Sequence, residues 1–181
     1  SCQGEKAVIV KVEKKQKKTM PPKLYDLTTL QREANRFFGY TAQETLQELQ
    51  ELYEDKLVTY PRTDSQYITE DMEQSTMELL EVLPEILPFL EGNMGYDVGR
   101  IINNDKVSDH HALLPTKESV KKGFSQLTEK QRNLYCMIGQ RLAQAVSKEC
   151  TYEETQITVQ CAGHEFMAKG KRMTEPGFWK I

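Results

Sequence analysis

Between Leu57 and Ser65 the chain reads Leu-Val-Thr-Tyr-Pro-Arg-Thr-Asp-Ser, a run that begins with strand-forming residues and turns polar at Tyr60. Pro61 has no N–H to give a sheet ladder, so the strand is expected to end there. Tyr60 offers a phenolic oxygen as a nucleophile, and Arg62 a permanent planar cation suited to phosphate. Thr63, Asp64 and Ser65 add a dense set of hydrogen-bonding groups. The same residues also suit a strand end running into a turn. Tyrosine in water titrates at about pH 10, so only about one in a thousand is phenolate at neutral pH, a deficit of roughly 4 kcal/mol. A nucleophilic Tyr60 therefore needs help, which Arg62 can give by holding a phosphate and the charge that grows on it.

A second polar cluster, Ser108-Asp109-His110-His111, precedes the apolar Ala112-Leu113-Leu114 and a Pro115-Thr116 stop. His110 can serve as a cationic donor to phosphate, as a proton relay, or simply as a cap. His111 and the distant His164 have no such company, and adjacent histidines do not make the spaced ligand set a metal needs. The sequence holds no Gly-rich phosphate loop, no Gly-x-Ser-x-Gly elbow and no close carboxylate pair suited to a divalent ion.

Helices must carry these groups. Ala7 to Val12 predicts a strand, ended by Met20-Pro21-Pro22. Asp26 or Thr28 then caps a helix with Leu27, Leu30, Ala34, Phe37 and Phe38 on its apolar face, closed by Gly39. Thr41 to Glu44 is a capping box for a second helix, which delivers a short strand at Leu57 to Thr59. Thr69 caps a third helix stopped by Pro84, with a helical turn over Ile86 to Leu90, and Gly92 to Asp109 reads as an exposed loop. Thr128 with Gln131 opens the last long helix. Thr155 to Val159 and Glu165 to Ala168 then predict a hairpin around Ala162-Gly163, with a further strand at Phe178 to Ile181. Strand material at both ends with helices between them predicts an inserted helical domain whose strand-rich ends meet, in a piece of a larger protein.

A charged fraction of 28% and a hydrophobic fraction of 38% fit a globular protein, and no apolar run reaches the roughly 18 residues of a membrane span. A net charge of −3 argues against a grip on duplex DNA over the whole surface. The lysines from Lys11 to Lys23 form a basic segment that suits either phosphate contact or a solvated linker. Four scattered cysteines without a C-x-x-C pair fit reduced, buried side chains in a cytosolic protein.

Thr59-Tyr60-Pro61-Arg62-Thr63-Asp64-Ser65 is similar to the active-site tyrosine motif of type IA DNA topoisomerases. Asp109 to Thr116 resembles that family's downstream histidine motif, Leu30 to Gly39 resembles the helix before the catalytic tyrosine, and the double histidine leans towards the topoisomerase III branch. The resemblance implies a mainly α fold with short β segments, in which a helical gate domain is inserted between strand-rich hinge segments of a toroidal enzyme. On this basis residues 1–24 are a hinge or arch segment, 25–125 the helical domain with the tyrosine, 126–150 a connecting helix and 151–181 the returning hinge segment. It further implies that Tyr60 attacks a phosphate of single-stranded DNA to form a transient 5′-phosphotyrosine link, with strand passage and religation without ATP. Arg62 and His110 match phosphate-stabilising positions, while Thr63, Asp64 and Ser65 match a DNA-binding or site-ordering role.

The family also needs an amino-terminal, Mg2+-binding domain, which nothing in this sequence matches. Mg2+ is thus expected in the full-length enzyme but not bound by this segment, which should bind single strands weakly and not cleave them alone. The implied partners are single-stranded DNA and that domain, in the cytoplasm at the nucleoid. The competing reading is a non-catalytic nucleic-acid-binding or interaction module on the same scaffold, with Tyr60 stacking on a base. A tyrosine recombinase would show a more basic surface, and a relaxase a spaced histidine set; neither is visible.

Overall fold

The computed structural model describes residues 2–90 and 95–181, so the expected loop start at Gly92 lies outside the described residues. Two units separate: the described residues up to Met20 with Glu149–Lys180, and Pro21–Lys148 with Ile181.

The first unit is an antiparallel sheet of β1 (Val8–Thr19), β2 (Cys150–Cys161) and β3 (His164–Glu175), in that order. Its hairpin turns where expected, at Ala162-Gly163, with φ of 48° and 76°. Positive φ at both positions gives the two-residue turn whose twist matches the flanking strands. β1 pairs with β2 from Val8 opposite Gln160 to Thr19 opposite Cys150, with one register shift between Ile9 and Lys11, so sequences from the two ends of the chain do meet.

Both strands run further than the hydrophobic pattern predicts, because charge continues what apolar alternation starts. Lys14 pairs with Glu153 at 3.3 Å, Lys17 with Glu154 at 2.6 Å, and Lys18 with Glu149. Opposite charges on neighbouring strands favour the pairing. Much of the basic segment is thus neither linker nor free cation, but strand. Phe178 to Ile181 does not form the expected strand. Gly177–Lys180 is a 3-10 turn in which the Trp179 N–H donates to the Pro176 carbonyl at 3.1 Å.

The second unit is helical: α1 (Leu27–Phe38), α2 (Ala42–Glu54), α3 (Glu73–Val82), α4 (Lys117–Lys122) and α5 (Glu129–Ala145). Asp26, not Thr28, caps α1, accepting from the Thr29 N–H at 2.6 Å. Gly39 ends α1 at φ 74°, a left-handed position that favours glycine, and its N–H closes on the Asn35 carbonyl at 2.9 Å. Thr41–Glu44 and Thr128–Gln131 form complete capping boxes. Leu30 and Ala34 of α1, Leu49 and Leu52 of α2, and Leu134, Ile138 and Leu142 of α5 are buried in one apolar core.

α3 ends at Val82, just before Pro84, as expected. Pro84 sits in the 3-10 turn Leu83–Glu85, where its missing N–H costs little. The described part of the following connection holds two more such turns, Val98–Ile101 and Asn104–Lys106. α4, only six residues long, is too short to show a periodic apolar stripe and was not foreseen.

Gly139 of α5 packs against Leu83 and Leu87. A Cβ there would overlap Leu87 Cδ1 and stand 3.6 Å from Leu83 Cδ2, both in the buried core. Gly139→Ala should therefore destabilise the unit by about 1–3 kcal/mol through overpacking, despite the ~1 kcal/mol that alanine gains in helix propensity. A lowered urea midpoint at unchanged m-value would register this.

Candidate active site

Tyr60 is delivered by a short extended segment rather than by a strand of a sheet. After α2, Lys56 takes a left-handed φ of 62° and the Leu57 N–H donates to the Leu52 carbonyl at 2.8 Å, turning the chain inward. Leu57 and Val58 are buried, and the segment then lies antiparallel to residues 112–116 through the single bridge Val58–Pro115. The Thr59 N–H donates to the Leu114 carbonyl and the Thr116 N–H to the Leu57 carbonyl, both at 3.0 Å. Thr59 adds a side-chain clamp: its Oγ1 accepts from the Leu114 N–H at 3.0 Å and donates to the Ala112 carbonyl at 3.3 Å. Pairing ends at Pro61, as a residue without an N–H dictates.

This pairing sets the two polar clusters against each other. The rings of Tyr60 and His110 lie 4.3 Å apart between centroids, tilted by 39°. Tyr53, from the last turn of α2, meets Tyr60 edge-on at 5.5 Å. Arg62 is exposed and lines a cleft of about 510 Å³. One wall is Arg62 to Asp64, another is Ser108 to His110, and the first turn of α1 supplies a third. Here the positive end of the helix, a guanidinium and an imidazole border one space with the carboxylates of Asp26, Asp64 and Asp109, so the groups able to draw an anion into it are Arg62, His110 and the helix end.

The other motif residues divide in two. Thr63 and Ser65 are only 5% and 4% exposed, and their hydroxyls are used internally. Thr63 Oγ1 donates to the His110 carbonyl and accepts from the Ser65 N–H, both at 3.1 Å. Ser65 Oγ donates to the Lys106 carbonyl at 2.8 Å, with the Tyr67 carbonyl a second acceptor at 3.2 Å, and accepts from the Tyr67 N–H at 3.1 Å. These two bind the His110 loop to the Tyr60 loop, whereas Asp64 is exposed and lines the cleft.

Sequence reasoning did not single out Tyr53, Thr59 or the first turn of α1 as parts of this place. Tyr53 belongs to no motif in the sequence, and Asp26 read as a cap. The only available signal for Thr59 was its position inside the motif.

The adjacent histidines separate. His110 is exposed against Tyr60, while His111 is half-buried and its Nδ1–H donates to the Ala112 carbonyl at 2.8 Å. His164 belongs to the other unit, opposite Cys161 at the hairpin end. Among the described residues no three His, Cys, Asp or Glu side chains gather as a possible metal site. Asp26, Asp64 and Asp109 border the cleft without forming such a set, and Asp26 is committed to the α1 cap.

A second network steadies the His110 segment from behind. The Tyr25 hydroxyl donates to Glu33 Oε2 at 2.5 Å, and Arg141 donates to the same oxygen at 2.5 Å and to the Tyr25 oxygen at 2.8 Å. The Arg141 guanidinium also stacks 3.9 Å from the Tyr25 ring centroid. Burial pushes the Tyr25 phenol up, so it stays a donor. Burial acts to raise Glu33 as well, but its bonds to Tyr25 and Arg141 outweigh that and hold it below the usual carboxylate range. The Tyr25 carbonyl in turn accepts from the Leu113 N–H at 2.9 Å, beside Ala112.

Residues 1–181 match the family described as DNA topoisomerase. DNA topoisomerase 3 of Bacillus subtilis (strain 168) is 40% identical over 192 residues, an alignment covering 99% of this chain and 25% of that protein. DNA topoisomerase 3 of Bacillus licheniformis is 42% identical over 187 residues, with the same coverage. The chain thus spans about a quarter of the length of these relatives. Its fold is similar to that in the structure of full-length topoisomerase I from Thermotoga maritima, with a TM-score of 0.76 at 23% identity, over 99% of this chain and 30% of that one.

Burial holds the His111 imidazole below its ordinary value of 6.5. The unfolded chain therefore takes up a proton at a pH where the folded chain does not, and stability falls as pH drops below about 6.5 towards the folded value. Urea midpoints should decline from about pH 7 to about pH 5, and His111→Gln should flatten that decline. An unchanged slope in the variant counts against a buried neutral imidazole.

Proposed function

Because the chain belongs to the DNA topoisomerase family, in its type IA, topoisomerase III-like branch, we propose that it is the tyrosine-bearing segment of such an enzyme, acting on single-stranded DNA. The observation that carries this reading is the contact of Tyr60 with His110 at 4.3 Å, beside a cleft walled by Arg62.

Tyr60 Oη attacks a backbone phosphorus; a new phosphorus–oxygen bond forms to the tyrosine, and the bond to the 3′-oxygen breaks. The phenolic proton leaves and the 3′-oxygen takes one up, so the products are a 5′-phosphotyrosine and a free 3′-hydroxyl. One phosphodiester replaces another, and the reverse attack needs no ATP. Arg62 lines the cleft that His110 also borders and holds the phosphate's charge, which grows in the transition state. The His110 imidazole, in contact with Tyr60, can hold and return a proton or, when protonated, face the phosphate. Thr63 and Ser65 order the two loops through their bonds to the His110 and Lys106 carbonyls, and Asp64 borders the strand's path.

A divalent cation belongs to the implied chemistry, where it would stabilise phosphate charge. The cleft aspartates do not form a ligand set for one, and no step here runs through it. We assign Mg2+ to a preceding domain of the longer protein, which also completes the active site, so this segment alone should not cleave DNA. In that protein the helical unit is the gate, the β1–β3 sheet belongs to the hinge of a toroid, and the place of action is the cytoplasmic nucleoid.

The test uses a polypeptide in which this chain is joined to the regions that flank the matched segment in its relatives. A 3′-labelled single-stranded oligonucleotide is added, the reaction is denatured, and label is sought on protein. Label should be found at Tyr60 and vanish with Tyr60→Phe, while Arg62→Ala should slow its appearance about a hundredfold or more. A link at another tyrosine, or undiminished linkage in Tyr60→Phe, would sink the assignment in favour of a binding module.

A further inference from the structure

Outside the cleft, two lysines are gathered on one aromatic ring. Lys23 Nζ lies 5.3 Å and Lys106 Nζ 5.2 Å from the centroid of Tyr67. Both lysines are exposed, and among the described residues neither has a carboxylate partner within ion-pair distance, although lysines elsewhere in the unit, such as Lys117, Lys121 and Lys130, have one. Two cations near one ring, without a carboxylate partner, leave positive charge that an anion could neutralise. The ring attracts both ammonium groups and limits their freedom in advance, lowering the entropy cost of that anion's arrival.

The backbone under this trio is built into the site. The Tyr67 N–H donates to Ser65 Oγ at 3.1 Å, and its carbonyl accepts from the Ala112 N–H at 2.9 Å. The Lys106 carbonyl accepts from Ser65 Oγ at 2.8 Å, and the Lys23 carbonyl from Arg141 at 3.3 Å. Along the chain the lysines stand next to cleft residues: Lys106 shortly before Ser108, and Lys23 shortly before Asp26. The pair thus shares the Ser65 bonds that tie the His110 loop to the Tyr60 loop.

We infer that Lys23 and Lys106, mounted on Tyr67, form a two-cation clamp for the sugar-phosphate backbone of a single nucleic-acid strand where it continues beyond the Arg62 cleft. The clamp reads charge and not sequence, since phosphate contacts position a strand without discriminating its bases. Its role is positioning: it fixes the strand's direction across the site. The inference rests on the proposed single-strand substrate, but not on covalent chemistry at Tyr60.

The experiment is a fluorescence-anisotropy titration of a short labelled oligothymidylate with the 181-residue chain over a series of salt concentrations. The double variant Lys23→Gln, Lys106→Gln should bind about tenfold more weakly at low salt, and its log–log salt slope should fall by about 1.4, some 0.7 for each lost phosphate contact. Tyr67→Leu, which removes the mount but keeps both charges, should lose part of the affinity. Lys117→Gln with Lys121→Gln, lysines already paired to Glu78 and Glu118, should leave affinity and slope as they were. Thermal melting by circular dichroism confirms that each variant is folded. A double variant with the parent's affinity and slope overturns the clamp, as does an unaltered chain showing no salt-dependent binding. Neither result touches the phosphotyrosine assignment, which is read by covalent label in the longer polypeptide.

Discussion

The arrangement of the site depends on one short antiparallel pairing, that of residues 57–61 with 112–116. It consists of few hydrogen bonds, and Thr59 makes three of them through its backbone N–H and its hydroxyl. Because the pairing is brief, it could slip unless both sides were held. Buried Leu57 and Val58 hold one side, and the bond from the Leu113 N–H to Tyr25 holds the other. A shift by one residue would turn each side chain to the opposite face, taking Tyr60 away from His110. The Arg141–Glu33–Tyr25 network thus reaches Tyr60 and His110 without touching them, through the segment 112–116.

The helical elements were legible because their signals are local. Asp26, Gly39 and the two capping boxes act within a few residues, and the structure places each at a helix end. The choice between Asp26 and Thr28 was open in the sequence, since both can accept from a backbone N–H, and geometry settled it for Asp26. What was not legible depends on partners distant in sequence. The lysines of β1 carry no strand signal of their own, and only the carboxylates of β2 and its lead-in, far along the chain, make strand of them. Phe178 to Ile181 shows the converse: strand-forming residues, but a chain that turns at Pro176-Gly177 instead.

The candidate site was legible in its residue types and less so in its directions. Tyr60, Arg62 and His110 stood out by residue type, and the structure brings Tyr60 to His110 and sets Arg62 and His110 on one cleft. Thr63, Asp64 and Ser65 were indistinguishable as a row of polar side chains. Successive side chains point apart along an extended chain, so two hydroxyls went inward to bind loops and the carboxylate between them went outward. No composition or spacing carries that alternation's phase; it follows from where Pro61 releases the chain.

The register partners Thr19 and Cys150 have a consequence for how the two units share their stability. Pairing β1 with β2 closes a loop of roughly 130 residues, which for a flexible chain would cost on the order of 4 kcal/mol beyond a constant. A folded helical unit takes most of the residues of that loop out of the flexible chain, and so removes part of that cost. When the helices melt, the sheet must bear the loop's entropy alone. The two units are thereby thermodynamically linked through chain connectivity itself, so that order in the helices is felt as strength in the sheet.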